Sequence, residues 1–277
     1  MDFLQVVGSR RSIRWFKTWA QVPQEKIQRI LEVARLTTCP GNLQPWRAVV
    51  VERDELDQET REKLLTADNW QGAHTQAPVW IYWYGDPDSA VPKAFKDGVY
   101  QLMELGALPS AYGWSPESVE ATIERGEEAP EGMPGIHELI HGLPYEISAL
   151  VAAQETVGAC AQATLAAVNE GLGTTLHMIA TPSKQEEVKK LLGVPERCVP
   201  VWLQLVGYPA EDRQAGGQRP RRPFEDVFFH MKWGQPFRRD ENVVTTLQEE
   251  GAIQAPMPKP GRAEELKHLS RMYGYPE

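Results

Sequence analysis

Between residues 22 and 38 the apolar positions return at helical spacing. Ile27, Ile30, Leu31 and Ala34 share one stripe and Pro23 stands near its start, a pattern that predicts an amphipathic helix. The period then shortens. Residues 47–52 and 79–84 are short runs of β-branched and aromatic side chains, each predicting a strand, and Gly85 and Pro87 close the second. Residues 57–67 between them read as an exposed helix. The longest helical pattern covers residues 145–170, where Ile147, Leu150, Val151, Gln154, Val157, Ala161, Leu165 and Val168 follow one stripe and Gly171 and Gly173 end it. Ala152, Ala153, Ala159, Ala163 and Ala166 line its other face, and small residues on a second side suit close packing on two partners, a second subunit included. A strand over residues 174–179, a helix over 183–192 opened by Thr181, Pro182 and Ser183, and a buried strand over 199–206 complete a mixed helix and strand pattern.

Two stretches break this rhythm. Residues 86–144 are rich in glycine, proline and acids, with Ser115 placed to cap a short helix, and read as an insertion or lid over a substrate site. Residues 231–277 carry little core character. A proline-rich link at 255–261 leads to a last amphipathic helix at 263–273, and the segment reads as an extension that wraps another surface. The division is therefore a domain over residues 1–230, containing the 86–144 lid, and a C-terminal extension over 231–277. No internal repeat is present.

Composition narrows the class. With 277 residues, 42% hydrophobic and 24% charged, the chain is long enough and apolar enough to bury a sizeable core. A formal charge of -9 argues against a general binder of nucleic acid or anionic membrane, which needs a basic surface. The longest purely apolar stretch, at 79–84, is too short to span a bilayer, and MDFLQVVGSRR lacks the order of a secretion signal. Cys39, Cys160 and Cys198 are too few and scattered for a disulfide framework or thiolate cluster. A cytoplasmic location is the expectation.

In this acidic chain the arginines gather in two places, Arg10, Arg11 and Arg14 and then Arg219, Arg221 and Arg222. A guanidinium fork fits phosphate oxygens, so two such runs brought together would clamp one anionic group; apart, they are solvated basic patches. The loop Pro40-Gly41-Asn42-Leu43-Gln44-Pro45-Trp46 offers amide donors and acceptors suited to the edge of a heteroaromatic ring, or else a simple backbone turn. His137-Glu138-Leu139-Ile140-His141 is a literal HExxH, the spacing with which a helix places two imidazoles on zinc. Pro134, Gly135, Gly142 and Pro144 confine any helix there to little more than a turn and a half, and no third ligand follows at the HxxGxxH spacing. These residues are assigned to the lid instead, and no metal site is expected. Tyr112, Trp114, His141 and His177 are candidates to line the substrate pocket; Trp233 is an aromatic of the same kind, with satellite packing as the plain alternative. The acidic run at 117–131 reads as a solvated face.

Several segments in order resemble the nitroreductase family of FMN-dependent oxidoreductases. They are SRRSIRWF at 9–16, PGNLQPWR at 40–47, QETVGACAQATLAAVNEGLGTT at 154–175, LGVPE at 192–196, VGYP at 206–209 and RPRRPFEDV at 219–227. The resemblance implies an α+β, nitroreductase-like fold, with a mainly antiparallel central sheet wrapped by helices, in an intertwined homodimer with FMN at the interface. It implies that Arg10, Arg11 and Ser12 hold the FMN phosphate and ribityl chain, that Arg14 lies near the flavin pyrimidine ring, and that Arg219 and Arg221, with Arg222 adjacent, form a second basic pair on the phosphate. Pro40, Asn42 and Gln44 match the loop beside the flavin, and Asn69 an amide reading the ring edge. Ala180 and Thr181 match the strand end whose backbone amide faces flavin N5. Thr38-Cys39 stand where the family often has Pro-Ser, so no hydroxyl contact is implied there.

The implied chemistry is hydride transfer from NAD(P)H through FMN to an electron-poor acceptor, a nitroaromatic, quinone or activated alkene, with no side-chain nucleophile. Arg14 would stabilise charge on the reduced ring and a donor at N5 would orient transfer. Three alternatives stand beside it: an oxidase, dehydrogenase or dehalogenase use of the same fold, a flavin-binding protein without turnover, and a zinc hydrolase using His137, Glu138 and His141. The expected partners are a small-molecule acceptor and a second copy of the chain, with no nucleic acid and no membrane.

Overall fold

A computed structural model describes residues 2–90, 92–108, 110, 113–121 and 144–276. Four antiparallel strands form its sheet: β1 (Trp46–Glu52), β2 (Val79–Gly85), β3 (Gly173–His177) and β4 (Val199–Gly207), in the order β1-β2-β4-β3. Because side chains alternate along a strand, β2 feeds both faces. Trp80, Tyr82 and Tyr84 point into one core with Leu203 and Leu205, while Val79, Ile81 and Trp83 point into the other with Val206. Both faces are therefore covered, which is why this strand reads as an unbroken apolar run.

Helices α1 (Phe3–Ser9) and α2 (Gln24–Arg35) precede the sheet, and α3 (Gln58–Ala67) and α4 (Gly72–Gln76) lie between β1 and β2. Asp57 caps α3 by accepting from Thr60 N, and Ile27, Ile30 and Ala34 are the buried stripe of α2, as the spacing predicts. The lid region contributes α5 (Pro92–Glu104) and α6 (Pro116–Val119) among its described residues. Ser115 caps α6 through a reciprocal box with Ser118. The two helices carry a small core of their own, with Val99 and Val119 at its centre and Phe95, Tyr100, Met103, Leu108 and Trp114 packed around them.

The long helix α7 (Tyr145–Asn169) is where the tertiary arrangement departs from the expected stripe. Its buried residues are Ala152, Thr156, Ala159, Cys160, Ala163, Thr164, Ala166 and Ala167. The small-residue face is thus the core face, and Ile147, Leu150 and Val157, at 40%, 53% and 45% exposure, point outward. Close approach explains the choice: a Cβ on Gly85 would sit 2.6 Å from the Ala152 carbonyl carbon, so bulky side chains on that face would lift the helix off the sheet.

Helix α8 (Pro182–Leu191) joins β3 to β4, with Thr181 at its N-cap position. After β4 come α9 (Glu241–Glu249), which no apolar period announces, and α10 (Arg262–Met272). The extension divides in two. Residues 231–243 are exposed throughout, Trp233 at 90%. Its end folds back on its own chain: the Trp15 ring lies 5.5 Å from the rings of Tyr273 and Tyr275, and the Tyr273 hydroxyl donates to Phe16 O at 2.6 Å. Among the described residues no helix is long and apolar enough to cross a membrane.

Candidate functional site

Helix α1 stops at Ser9, and the chain beyond it runs along the open edge of β3. Ser12 pairs with Thr174 in a parallel bridge, and Ile13 N–H donates to Thr174 O at 3.0 Å. This added edge sets Arg10 and Ser12 over a cleft of about 340 Å³ whose walls include Thr164 and Leu165 of α7 and Thr174 and Thr175 of β3. The Gln204 amide donates to Thr174 Oγ1 at 3.2 Å and fixes one of the cleft's hydroxyls.

The second arginine run reaches the same place from the far end of the domain. Residues 218–221 follow a tight turn and lie against the extension, with Gln218 N–H bonded to Ala255 O and Met257 N–H to Gln218 O, each at 3.0 Å. The Arg219 guanidinium meets the Met257 sulfur. Burial and the charge of Arg221 push the Arg10 guanidinium below its ordinary value. Burial, Arg10, Arg221 and Arg219 do the same to Arg11. Arg14 is lowered by burial and Arg219, with Glu211 opposing the shift. The two runs form one positive cluster whose members repel, the arrangement that an anion relieves. Arg222 is exposed on the same segment.

Arg10 and Arg11 have different surroundings. Arg11 is 5% exposed and its Nη1 donates to Gly8 O at 2.6 Å and to Arg10 O at 2.9 Å. Its Nη2 donates to Gln254 Oε1 at 2.9 Å, and its buried Nε has no partner among the described residues. Arg14 is exposed; its Nη1 donates to Ser12 O at 3.1 Å, and its backbone N–H donates to Glu211 Oε1 at 2.6 Å. The Glu211 carboxylate also takes Trp15 N–H at 3.1 Å and Arg262 Nη2 at 2.5 Å.

A further group of candidates gathers where α3, β3 and α8 meet. Asn69 stands in the turn after α3 with φ of 54° and is exposed, and its Oδ1 accepts from Lys184 Nζ at 2.5 Å. The neighbouring Asp68 is buried and accepts from His177 Nδ1 at 2.8 Å, so one turn ties Asn69 to the end of β3. Ala180 and Thr181 follow, both exposed, and Gln185 Nε2 donates to Ile179 O at 2.7 Å to fix their approach.

The loop at 40–46 is placed elsewhere. Pro40–Asn42 makes one 3-10 turn, and Asn42 and Gln44 both have positive φ, 55° and 45°. Gln44 Nε2 donates to Asn42 Oδ1 and Asn42 Nδ2 to Gln101 Oε1, each at 2.9 Å. These amides border a second cleft, with Leu31, Arg35, Arg47 and Trp83, that shares no lining residue with the arginine cleft. A single chain therefore does not unite Asn42 and Gln44 with Arg10 and Ser12.

Of the pocket candidates, Trp114 packs in the α5–α6 core and His177 is engaged by Asp68. Tyr112 and His141, with His137 and Glu138, lie outside the described residues. Among the described residues no three His, Cys, Asp or Glu side chains group as a metal site. Sequence reading passed over Asp68, Lys184, Glu211 and Gln254. No periodicity or motif marks them, because each acts through a partner distant in the chain.

Residues 7–107 match the model of the Nitroreductase family. An NADH dehydrogenase of Thermus thermophilus is 29% identical over 232 residues, covering 82% of this chain and 95% of its own. An NADPH-dependent oxidoreductase of Staphylococcus haemolyticus is 21% identical over 245 residues, 88% of this chain and 79% of its own. Among solved structures, a nitroreductase-type protein of Exiguobacterium sibiricum in complex with FMN superposes with a TM-score of 0.63 at 22% identity, covering 82% of this chain and 96% of that one. NfrA2 of B. megaterium superposes at 0.57 and 21% identity over 97% of this chain and 98% of its own, so the likeness in fold extends through the C-terminal segment.

Proposed function

We propose that this chain, a member of the nitroreductase family, is an FMN-dependent enzyme that passes a hydride from NAD(P)H through FMN to an electron-poor acceptor such as a nitroaromatic, a quinone or an activated alkene. The observation that carries the reading is the joined arginine cluster. Arg10 lines an open cleft with Ser12, Thr174 and Thr175 and is repelled by Arg221, as Arg14 is by Arg219, and a phosphate monoester suits that donor set in charge. The names of the two relatives and the FMN complex of the Exiguobacterium protein support the same reading.

FMN, when bound, supplies the hydride chemistry at its ring system. The chain's part is to hold, orient and exclude water. Arg10, Arg219 and Arg221 anchor the phosphate and Ser12 the ribityl chain. Asn69 is restricted by Lys184, which occupies its oxygen and leaves its NH2 as a donor toward a carbonyl on the ring edge. Ala180 and Thr181, exposed just beyond β3, would offer a backbone amide to the ring's reacting side. Arg14 stands with the anion-binding arginines, where its charge assists the phosphate end.

The separation of the two clefts and the outward apolar stripe of α7 favour a homodimer, in which a second copy brings its Asn42 and Gln44 to this chain's arginine cleft and Ile147, Leu150 and Val157 are covered. The decisive experiment is an absorbance spectrum of the protein with FMN, followed by anaerobic NADH or NADPH. Flavin bands that bleach on adding nucleotide support the reading; failure to bind FMN overturns it, and binding without bleaching leaves a flavin carrier.

A further inference from the structure

We infer that Gln254 is a positioning residue of the anion site: through the buried Arg11 it aims Arg10, so that Arg10 meets the phosphate and Arg11 is a strut beneath it. The inference rests on the FMN reading above. Five N–H donors, two on each terminal nitrogen and one on Nε, would be open to a phosphate if Arg11 faced the cleft. Instead Nη1 is committed to the carbonyls of Gly8 and Arg10 and Nη2 to Gln254 Oε1, in a site only 5% exposed. The bond to Arg10 O fixes the backbone from which the Arg10 side chain leaves for the cleft.

Gln254 is itself pre-set. Its Nε2 donates to Gly251 O at 2.9 Å, which leaves Oε1 to face Arg11. Its backbone N–H donates to Gln218 Oε1 at 3.1 Å, and Gln218 Nε2 returns to Ala252 O at 3.1 Å. Gln218 directly precedes Arg219, so one amide ladder touches both arginine runs. Helix α1 rests on this ladder with no space between them: a Cβ on Gly8 would stand 1.9 Å from Gly251 O. The same extension supplies Met257 against Arg219 and Arg262 to Glu211, whose carboxylate holds the Arg14 backbone. The segment from Gly251 to Arg262, which sequence alone assigns to an extension wrapping another surface, packs against both arginine runs of its own chain.

A neutral side chain that meets the arginine runs through Arg11, its Nε2 being held by Gly251, changes the phosphate end of a ligand and leaves the ring end alone. The test measures affinity of the full-length protein for FMN and for riboflavin, which lacks the phosphate, together with the melting temperature. Gln254→Met removes the acceptor at nearly equal volume and is expected to weaken FMN about tenfold, the loss of one hydrogen bond to a charged donor, with riboflavin affinity unchanged. Gln254→Glu keeps an acceptor for Arg11 and is expected to restore FMN binding. Arg10→Ala is expected to show the same FMN-selective loss. If Gln254→Met fails to fold, Gln254→Asn, whose amide falls short of Arg11, is read in its place. Equal weakening of both flavins, or a lowered melting temperature with FMN affinity intact, overturns the inference while leaving FMN dependence standing. A wild-type protein that binds neither flavin overturns the functional reading first.

Discussion

The Asp68 carboxylate accepts a 2.8 Å hydrogen bond from Nδ1 of His177, and the same oxygen lies 3.1 Å from Nδ1 of His74, a ring with no solvent exposure. The contact fastens the turn that carries Asn69 to the strand end that leads to Ala180. Burial works to raise the Asp68 carboxyl, yet the two imidazoles beside it hold it below the ordinary carboxylate value. Burial holds His74 below the ordinary imidazole value in spite of Asp68.

Acid should therefore unfold the protein in two steps of the same sign. His74 binds a proton more readily once unfolded, so its contribution is whole above an unfolded imidazole value of about 6.5 and declines as pH falls below it. Asp68 is depressed, so its contribution is whole above about 3.9 and is lost as pH falls through its folded value. The melting temperature should drop between pH 7 and 5.5 and again below pH 4. Asp68→Asn, which leaves His177 without its charged acceptor, should cost about 1.5 to 3 kcal/mol at pH 7 by denaturant titration. A melting temperature constant from pH 7.5 to 5 would contradict the assignment for His74.

Gly85→Ala tests the seat of α7. The added methyl would stand within 2.6 to 2.8 Å of the Ala152 carbonyl and Ala153 N, all backbone atoms that cannot swing aside. A loss of about 1 to 3 kcal/mol is expected, the usual effect of overpacking a core. Unchanged stability would mean that the helix rides higher on the sheet.

Glu211→Ala should be among the most damaging substitutions in the chain. Its side chain is 1% exposed and serves two backbone amides and Arg262. Removing the carboxylate leaves the two backbone amides without their acceptor and Arg262 with Glu265 as its remaining carboxylate, with an expected cost of about 1 to 3 kcal/mol for each amide. Changing both partners, Glu211→Leu with Arg262→Leu, should cost less than the sum of the single changes in a double-mutant cycle. Simple additivity would show that the pair is not coupled.

Charge on the outward stripe of α7 tests the dimer. Leu150→Glu with Val157→Glu places carboxylates at half-exposed positions that a monomer tolerates within about 0.5 kcal/mol. Sedimentation should give a dimer for the natural chain and a monomer for the double variant. A monomeric natural chain would remove the second copy from the proposal.

Arg10→Ala together with Arg221→Ala should weaken FMN by several kcal/mol, since each charged hydrogen bond contributes about 1.5 to 3 kcal/mol. The loss should shrink as salt rises, because screening weakens the natural site more than the depleted one. A double variant with natural FMN affinity would exclude these arginines from the phosphate.

Much of the fold was present in the one-dimensional pattern. Apolar period located α2, α7 and β2, and local chemistry located the Ser115 cap, because these depend on neighbours within a few residues. The short helices α1 and α9 were not legible: α1 buries only Val6 and Gly8, and α9 has no buried residue to leave a stripe.

The sequence by itself determined the covalent stock of the site: two arginine runs, an amide-rich loop, and a helix with one bulky and one small face. Tertiary structure decided how they are used. It turned the small face of α7 inward because the sheet at Gly85 leaves room for backbone and little else. It gave Arg10 the cleft and Arg11 the interior, although they are chemically identical neighbours, because Arg11 finds its acceptor 243 residues away in Gln254. Periodicity reports only which side of an element is apolar, while a partner so distant in the chain is chosen by packing.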